Sequence, residues 1–161
     1  MAIKSDFSAS EWDLLRKAPL TASLLVVAAS PSGPVGLIKE STAATKMMLT
    51  AASASQSPLL KALSDDLRSN VSLPDLPRTA DPAQLRASAI ETIKASTALV
   101  AGKASAEEAQ EFSQWLGKIA QATAEATKEG GFLGFGGTQV SSEEQAALAD
   151  LHEALGLPKA A

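Results

Sequence analysis

Apolar positions along this chain recur at intervals of three and four rather than two, a rhythm that predicts helices and gives no support for strands. In the segment from Ala106 to about Lys128, Phe112, Leu116, Ile119, Thr123 and Ala126 follow one another at spacings of four, three, four and three. The same spacing links Leu37, Ser41, Ala44, Met48 and Ala51 within a helix expected from Val35 to Ala54. Leu59, Leu60, Leu63 and Leu67 form the inward face of a helix from Pro58 to about Arg68. A long helix from Pro82 to about Ala101 is separated from Ala106 only by a short segment containing Gly102, so the two long helices are expected to run antiparallel and to build the core.

Local signals set the helix boundaries. Three Ser-x-x-Glu patterns, Ser8 with Glu11, Ser105 with Glu108 and Ser141 with Glu144, each match a capping box, in which serine and glutamate reciprocally satisfy free backbone N–H groups. Ser57-Pro58 and Asp81-Pro82 place proline at the first helical position, where its missing N–H costs nothing. A first helix from about Ala9 to Lys17 meets Pro19, which is expected to end or kink it before a second apolar helix reaches Ala29. Ser30-Pro31-Ser32-Gly33-Pro34 reads as a turn. The last helix, Ser142 to Leu155, stops at Gly156 with Pro158 just beyond. The expected product is a single all-α domain over residues 1–161, a compact bundle of about six or seven helices, with a proline-containing connector at about 69–80.

Composition agrees and narrows the chemistry. Alanine, the strongest intrinsic helix former, fills 32 of 161 positions. The sequence has no cysteine, which removes disulfides, thiolate metal sites and thiol nucleophiles. A single histidine, His152, leaves no multi-histidine metal centre. A net charge of −4 and dispersed basic residues argue against nucleic acid as a partner. The most apolar stretch, Leu20 to Ala29, is half the length of a membrane span and is expected in the core, so no transmembrane segment is predicted. Val27-Ala28-Ala29-Ser30 resembles a leader-peptidase site. The acidic residues Asp6, Glu11 and Asp13 ahead of it do not fit a basic leader, however, and point to the cytoplasm.

The candidate chemical groups each have a structural explanation. Asp65-Asp66, Glu107-Glu108 and Glu143-Glu144 are carboxylate pairs, but adjacent helical residues diverge, and the two glutamate pairs lie in first helical turns, where negative charge complements the helix dipole. No Glu-x-x-His pair exists, because Ala149 stands three before His152, and His152 suits the dipole of the last helix turns. Trp12 and Trp115 sit within amphipathic patterns and read as packing residues. Nineteen serines occur without a Gly-x-Ser-x-Gly elbow. No catalytic, cofactor-binding or metal-ligating residue is assigned, and no cofactor is expected.

The most distinctive segment, 129–137, concentrates five glycines and two of the four phenylalanines. It lacks the Gly-Lys-Ser/Thr of a phosphate loop. Gly131, Phe132, Leu133, Gly134, Phe135 and Gly136 therefore form either an apolar plug for the end of the bundle or an interaction loop displayed to a partner or to a second copy of the protein.

The string Glu129-Gly130-Gly131-Phe132-Leu133-Gly134-Phe135-Gly136-Gly137 and its continuation to Glu144 resemble the signature of an uncharacterised bacterial family of all-helical proteins. The stretch Val140 to Leu157 is similar to the closing helix of TerB-like, tellurite-resistance-type domains. That resemblance implies a compact helical fold and, through the family's Asp-Gly-x-Ile/Val-x-x-x-Glu loops, metal-linked roles. Here Gly136-Gly137-Thr138-Gln139-Val140 and Ser30-Pro31-Ser32-Gly33 stand where such loops would fall, so the acidic oxygen ligands a hard cation needs are missing. The function expected is that of a non-enzymatic cytoplasmic protein-interaction or stress-associated helical protein. The alternative is a small-molecule or lipid-binding bundle whose cavity involves Met47, Met48 and Trp115.

Overall fold

The computed structural model describes residues 1–29, 44–50, 55–69, 82–128 and 140–158. A short 3-10 turn, Lys4–Asp6, leads into α1 (Ala9–Ala29). A helical stretch at 44–50 (α2) follows. The remaining helices are α3 (Pro58–Ser69), α4 (Pro82–Lys103), α5 (Ala106–Lys128) and α6 (Ser142–Leu155), and no strand occurs among the described residues. The all-α bundle read from the sequence is the fold observed. The turn at 30–34, both ends of the Val35–Ala54 helix (35–43 and 51–54) and most of the 69–80 connector lie outside the described residues.

All three serine–glutamate caps form. Glu11 N–H donates to Ser8 Oγ at 3.3 Å and Ser8 N–H to Glu11 Oε2 at 2.7 Å. The same reciprocal pair joins Ser105 and Glu108, with both bonds at 3.2 Å, and Ser141 and Glu144, at 2.8 and 3.2 Å. Each satisfies two orphan donors of a helix N-terminus. At the other end of α6, Gly156 adopts a left-handed φ of 65°. Its N–H bonds to Glu153 O and Leu157 N–H bonds to His152 O, the paired pattern of a Schellman cap that only a residue tolerant of positive φ completes without strain.

Two expectations are corrected. Pro19 does not divide the first helix: α1 runs unbroken from Ala9 to Ala29 with the proline buried inside it. The lost hydrogen bond and ring clash cost about 3 kcal/mol. Burial of Leu15, Leu25 and Val26, each 3% exposed or less, returns roughly 1.5–3 kcal/mol apiece and outweighs it. Nor is the α4–α5 pair the centre of the core. α1 touches α3, α4, α5 and α6, and its most extensive contact is with α4. Its buried residues, among them Trp12, Leu15, Ala18, Ala22, Leu25 and Val26, cover most of its circumference, as a helix with neighbours on several sides requires. The alanine-rich α4 contributes a narrower stripe, Ala89, Ile93, Ser96 and Val100.

The stripe read on α5 is buried at Phe112, Leu116, Ile119 and Thr123, and all four leucines read on α3 are buried. Between α1 and α5, Thr123 Oγ1 bonds to Ile119 O at 2.8 Å and to Ser23 Oγ at 3.3 Å, so small polar side chains enter the core already satisfied. No helix among the described residues is long and apolar enough to cross a membrane.

Candidate functional site

The loop Gly131–Gly136 lies outside the described residues, as do the neighbouring positions 129–139. The candidate chemistry that can be placed is therefore that of the carboxylates, the histidine, the tryptophans and the surface they frame.

The carboxylate pairs diverge. Glu108 is buried. Its Oε2 accepts from Ser105 N–H, its two oxygens accept from Ala2 N–H at 3.2 and 3.1 Å, and its Oε1 accepts from Ser57 Oγ at 3.5 Å. One side group thus fastens the N-terminal segment and the start of α3 to the start of α5. Glu107 faces solvent, its carboxyl held below the usual range by its own backbone N–H and by the Ser105 hydroxyl. Glu144 is buried and accepts from Ser141 N–H and Oγ through Oε2, whereas its Oε1 has no partner among the described residues; Glu143 is exposed and accepts from Ser142 Oγ. Asp65 is exposed beside Arg68. Asp66 turns the other way, to Lys4 Nζ at 2.7 Å and Trp12 Nε1 at 2.5 Å, and these two bonds pull its carboxyl below the usual value. No pair brings two carboxylates to one point, and among the described residues no three His, Asp or Glu residues converge.

A second charged cluster closes the N-terminal segment over α1 and α4. Lys103 Nζ reaches Glu11 Oε2 at 2.7 Å and Asp6 O at 3.0 Å and lies 5.4 Å from the centroid of the Phe7 ring. Phe7 in turn meets Trp12 with centroids 5.9 Å apart. The Lys103 bond is the main reason that the Glu11 carboxyl falls to about 2, with Ser8 N–H adding to it. These groups are paired and act as a clasp.

The remaining feature is a groove of about 790 Å³ between α4, α5 and the turn that follows α6. Its floor is small and apolar, with Ala98 and Ala101 from α4 and Ala109 from α5. Its polar groups are Lys94 and Thr97 on α4 and Gln110, Ser113 and Gln114 on α5. The third wall is 154–158, held in place by the Schellman cap and by His152. His152 Nδ1 lies 2.6 Å from the carbonyl oxygen of Pro158, and because a carbonyl only accepts, Nδ1 carries the proton. The single histidine is a clip for this wall. Leu157 is seated on α5 at Gly117, where an added Cβ would meet its Cδ1 at 3.0 Å.

No local feature of the sequence marks the groove. Its floor consists of alanines from two helices whose mutual register no local signal gives, and its wall follows a cap that reads only as a stop. The cavity residues suggested by the sequence are elsewhere. Trp115 is 2% exposed and its Nε1 has no partner among the described residues, Met48 is buried and Met47 half-buried, and none of the three lines the groove. Trp12 and Trp115 are both packing residues, as expected, and each meets a phenylalanine.

Compared with known proteins, the sequence matches no family model, no curated protein and no solved structure, so the fold and the groove are argued from its own residues.

Proposed function

We propose that this protein is a non-enzymatic, cytoplasmic interaction protein that docks a segment of a partner in the groove between α4, α5 and the 154–158 turn. The observation that carries the proposal is the groove itself: an open surface with a small apolar floor, rimmed by polar groups and walled by a turn fixed through His152 and Gly156. Small side groups let another backbone approach closely, and a wall made of capped backbone keeps its shape before the partner arrives, which lowers the ordering cost of binding. The cytoplasmic part rests on Leu20–Ala29, which belongs to the helix that touches α3, α4, α5 and α6, so cleavage after Ala29 would remove the centre of the bundle.

Ala98→Arg places a long side group on the groove floor at an exposed position, whereas Ala87→Arg makes the same change on exposed α4 surface outside the groove. Proteins recovered from the native host by the wild type and by Ala87→Arg, and lost with Ala98→Arg at equal thermal stability, are the expected result. Identical recovery by all three overturns the proposal.

The volume of about 790 Å³ also falls within the range of about 300–1,000 Å³ typical of small-ligand sites and supports a second reading, a small-molecule or lipid-binding bundle. Native mass spectrometry separates the two, because a bound small molecule adds a fixed mass to the protein whereas a protein partner is a separate polypeptide.

A further inference from the structure

We infer that the Met1–Ala2 peptide bond is a processing site, and that its cleavage frees an Ala2 α-ammonium that pairs with the buried Glu108 carboxylate. The atoms already stand in place. Ala2 N lies 3.2 Å from Oε1 and 3.1 Å from Oε2 of Glu108, astride both oxygens. Ala2 is 3% exposed and Glu108 5%, whereas Met1 is 83% exposed and its nitrogen stands 3.8 Å from Oε2. The fold grips residue 2 and leaves residue 1 outside.

A single amide proton suits this place poorly. It is shared between two oxygens at distances longer than the roughly 2.7–2.9 Å of bonds between a cationic N–H and a carboxylate. The other donors on Glu108 are neutral, Ser105 N–H at 3.2 Å and the Ser57 hydroxyl at 3.5 Å. Lys4, Lys17, Arg86 and Lys103 hold other carboxylates. A carboxylate withdrawn from water is costly unless a cation meets it within hydrogen-bond distance. An ammonium on the Ala2 nitrogen brings three protons and a positive charge to a point between the two oxygens.

The cleavage is a hydrolysis by a peptidase of the host. Water gives its oxygen to the new Met1 carboxylate and its two protons to the Ala2 nitrogen, and Met1 departs together with anything joined ahead of it. Ala2 is synthesised 106 residues before Glu108, so the bond is open to the peptidase before α5 exists to bury it. The ion pair formed afterwards ties the N-terminal segment to the start of α5 and, through Ser57, to the start of α3. Lys4 on Asp66 and Phe7 beneath Lys103 then hold the rest of that segment, so processing completes a strap across the bundle.

Mass analysis of the protein purified from its native host should find a free Ala2 amine at its N-terminus. Three forms of the chain, one beginning with Met1, one with free Ala2 and one with N-acetylated Ala2, then separate charge from position. The free-Ala2 form should unfold in urea with an equilibrium constant about tenfold smaller than either of the others, the difference between a charged and a neutral donor. The free and acetylated Ala2 forms share one sequence, so their comparison does not depend on a variant that folds. Glu108→Gln keeps the shape and removes the charge, and should shrink the advantage to less than about twofold. A native N-terminus at Met1, ahead of it, or blocked by acetylation overturns the inference. So do equal stabilities of the free and acetylated Ala2 forms, or an advantage that survives Glu108→Gln.

Discussion

Leu157 sits directly over Gly117: a Cβ at residue 117 would lie 3.0 Å from Leu157 Cδ1, so the glycine is what lets the turn after α6 close onto α5. Gly117→Ala separates stability from binding. Replacing a helical glycine by alanine gains about 1 kcal/mol of helix propensity, and the atom that must give is the far end of a half-buried leucine. The melting temperature is expected to stay the same or rise by a few degrees, while the displaced wall lowers affinity at the groove. Thermal denaturation and partner recovery from the native host, measured on the same variant, check the two halves.

The buried Glu108 carboxylate holds three separate parts of the protein. Glu108→Ala leaves Ala2 N–H, Ser105 N–H and Ser57 Oγ without their acceptor, and a cost of about 2–4 kcal/mol is expected in urea unfolding. Ser8→Ala, Ser105→Ala and Ser141→Ala each remove one half of a capping box and should cost about 1 kcal/mol.

The N-terminal clasp gives a pH signature. Glu11 and Asp66 both have carboxyls lowered by partners they meet in the folded protein, chiefly Lys103 and Lys4. Groups shifted this way contribute stability that is complete above their ordinary values of 4.5 and 3.8 and is lost as pH falls, for Glu11 through about 2. Carboxyl resonances followed by NMR should place the Glu11 midpoint near 2 in the wild type and shift it upward in Lys103→Met, still below the ordinary 4.5 because the Ser8 hydrogen bonds remain.

The two tryptophans should respond differently to the same change. Trp12→Phe deletes the donor to Asp66, so the Asp66 carboxyl is expected to titrate at higher pH and the protein to lose about 1–2 kcal/mol. Trp115→Phe removes an N–H that has no partner among the described residues, which offsets part of the lost packing, and should cost less than Phe112→Ala, expected at about 3–5 kcal/mol. Equal costs for the two Trp→Phe changes would show that the Asp66 bond contributes nothing.

What could be read from the sequence was local. Ser8, Ser105 and Ser141 announce their caps because each partner lies three residues away, and Gly156 announces its turn because only a residue at ease with positive φ completes it. Pro19 misled because the packing that overrides it comes from α3, α4, α5 and α6, elements distant in sequence that no local signal near the proline reveals. The groove was hidden for the same reason. Its lining comes from α4, α5 and the turn after α6, which only the folded protein brings together.

The docking surface is tested most directly by a photo-crosslinking amino acid placed at Gln114, on the groove rim, and separately at Glu125, an exposed position on the same helix outside it. Irradiation in the native host should yield a discrete crosslinked partner from position 114 and none from position 125. The same partner from both positions, or none from position 114, would contradict the account.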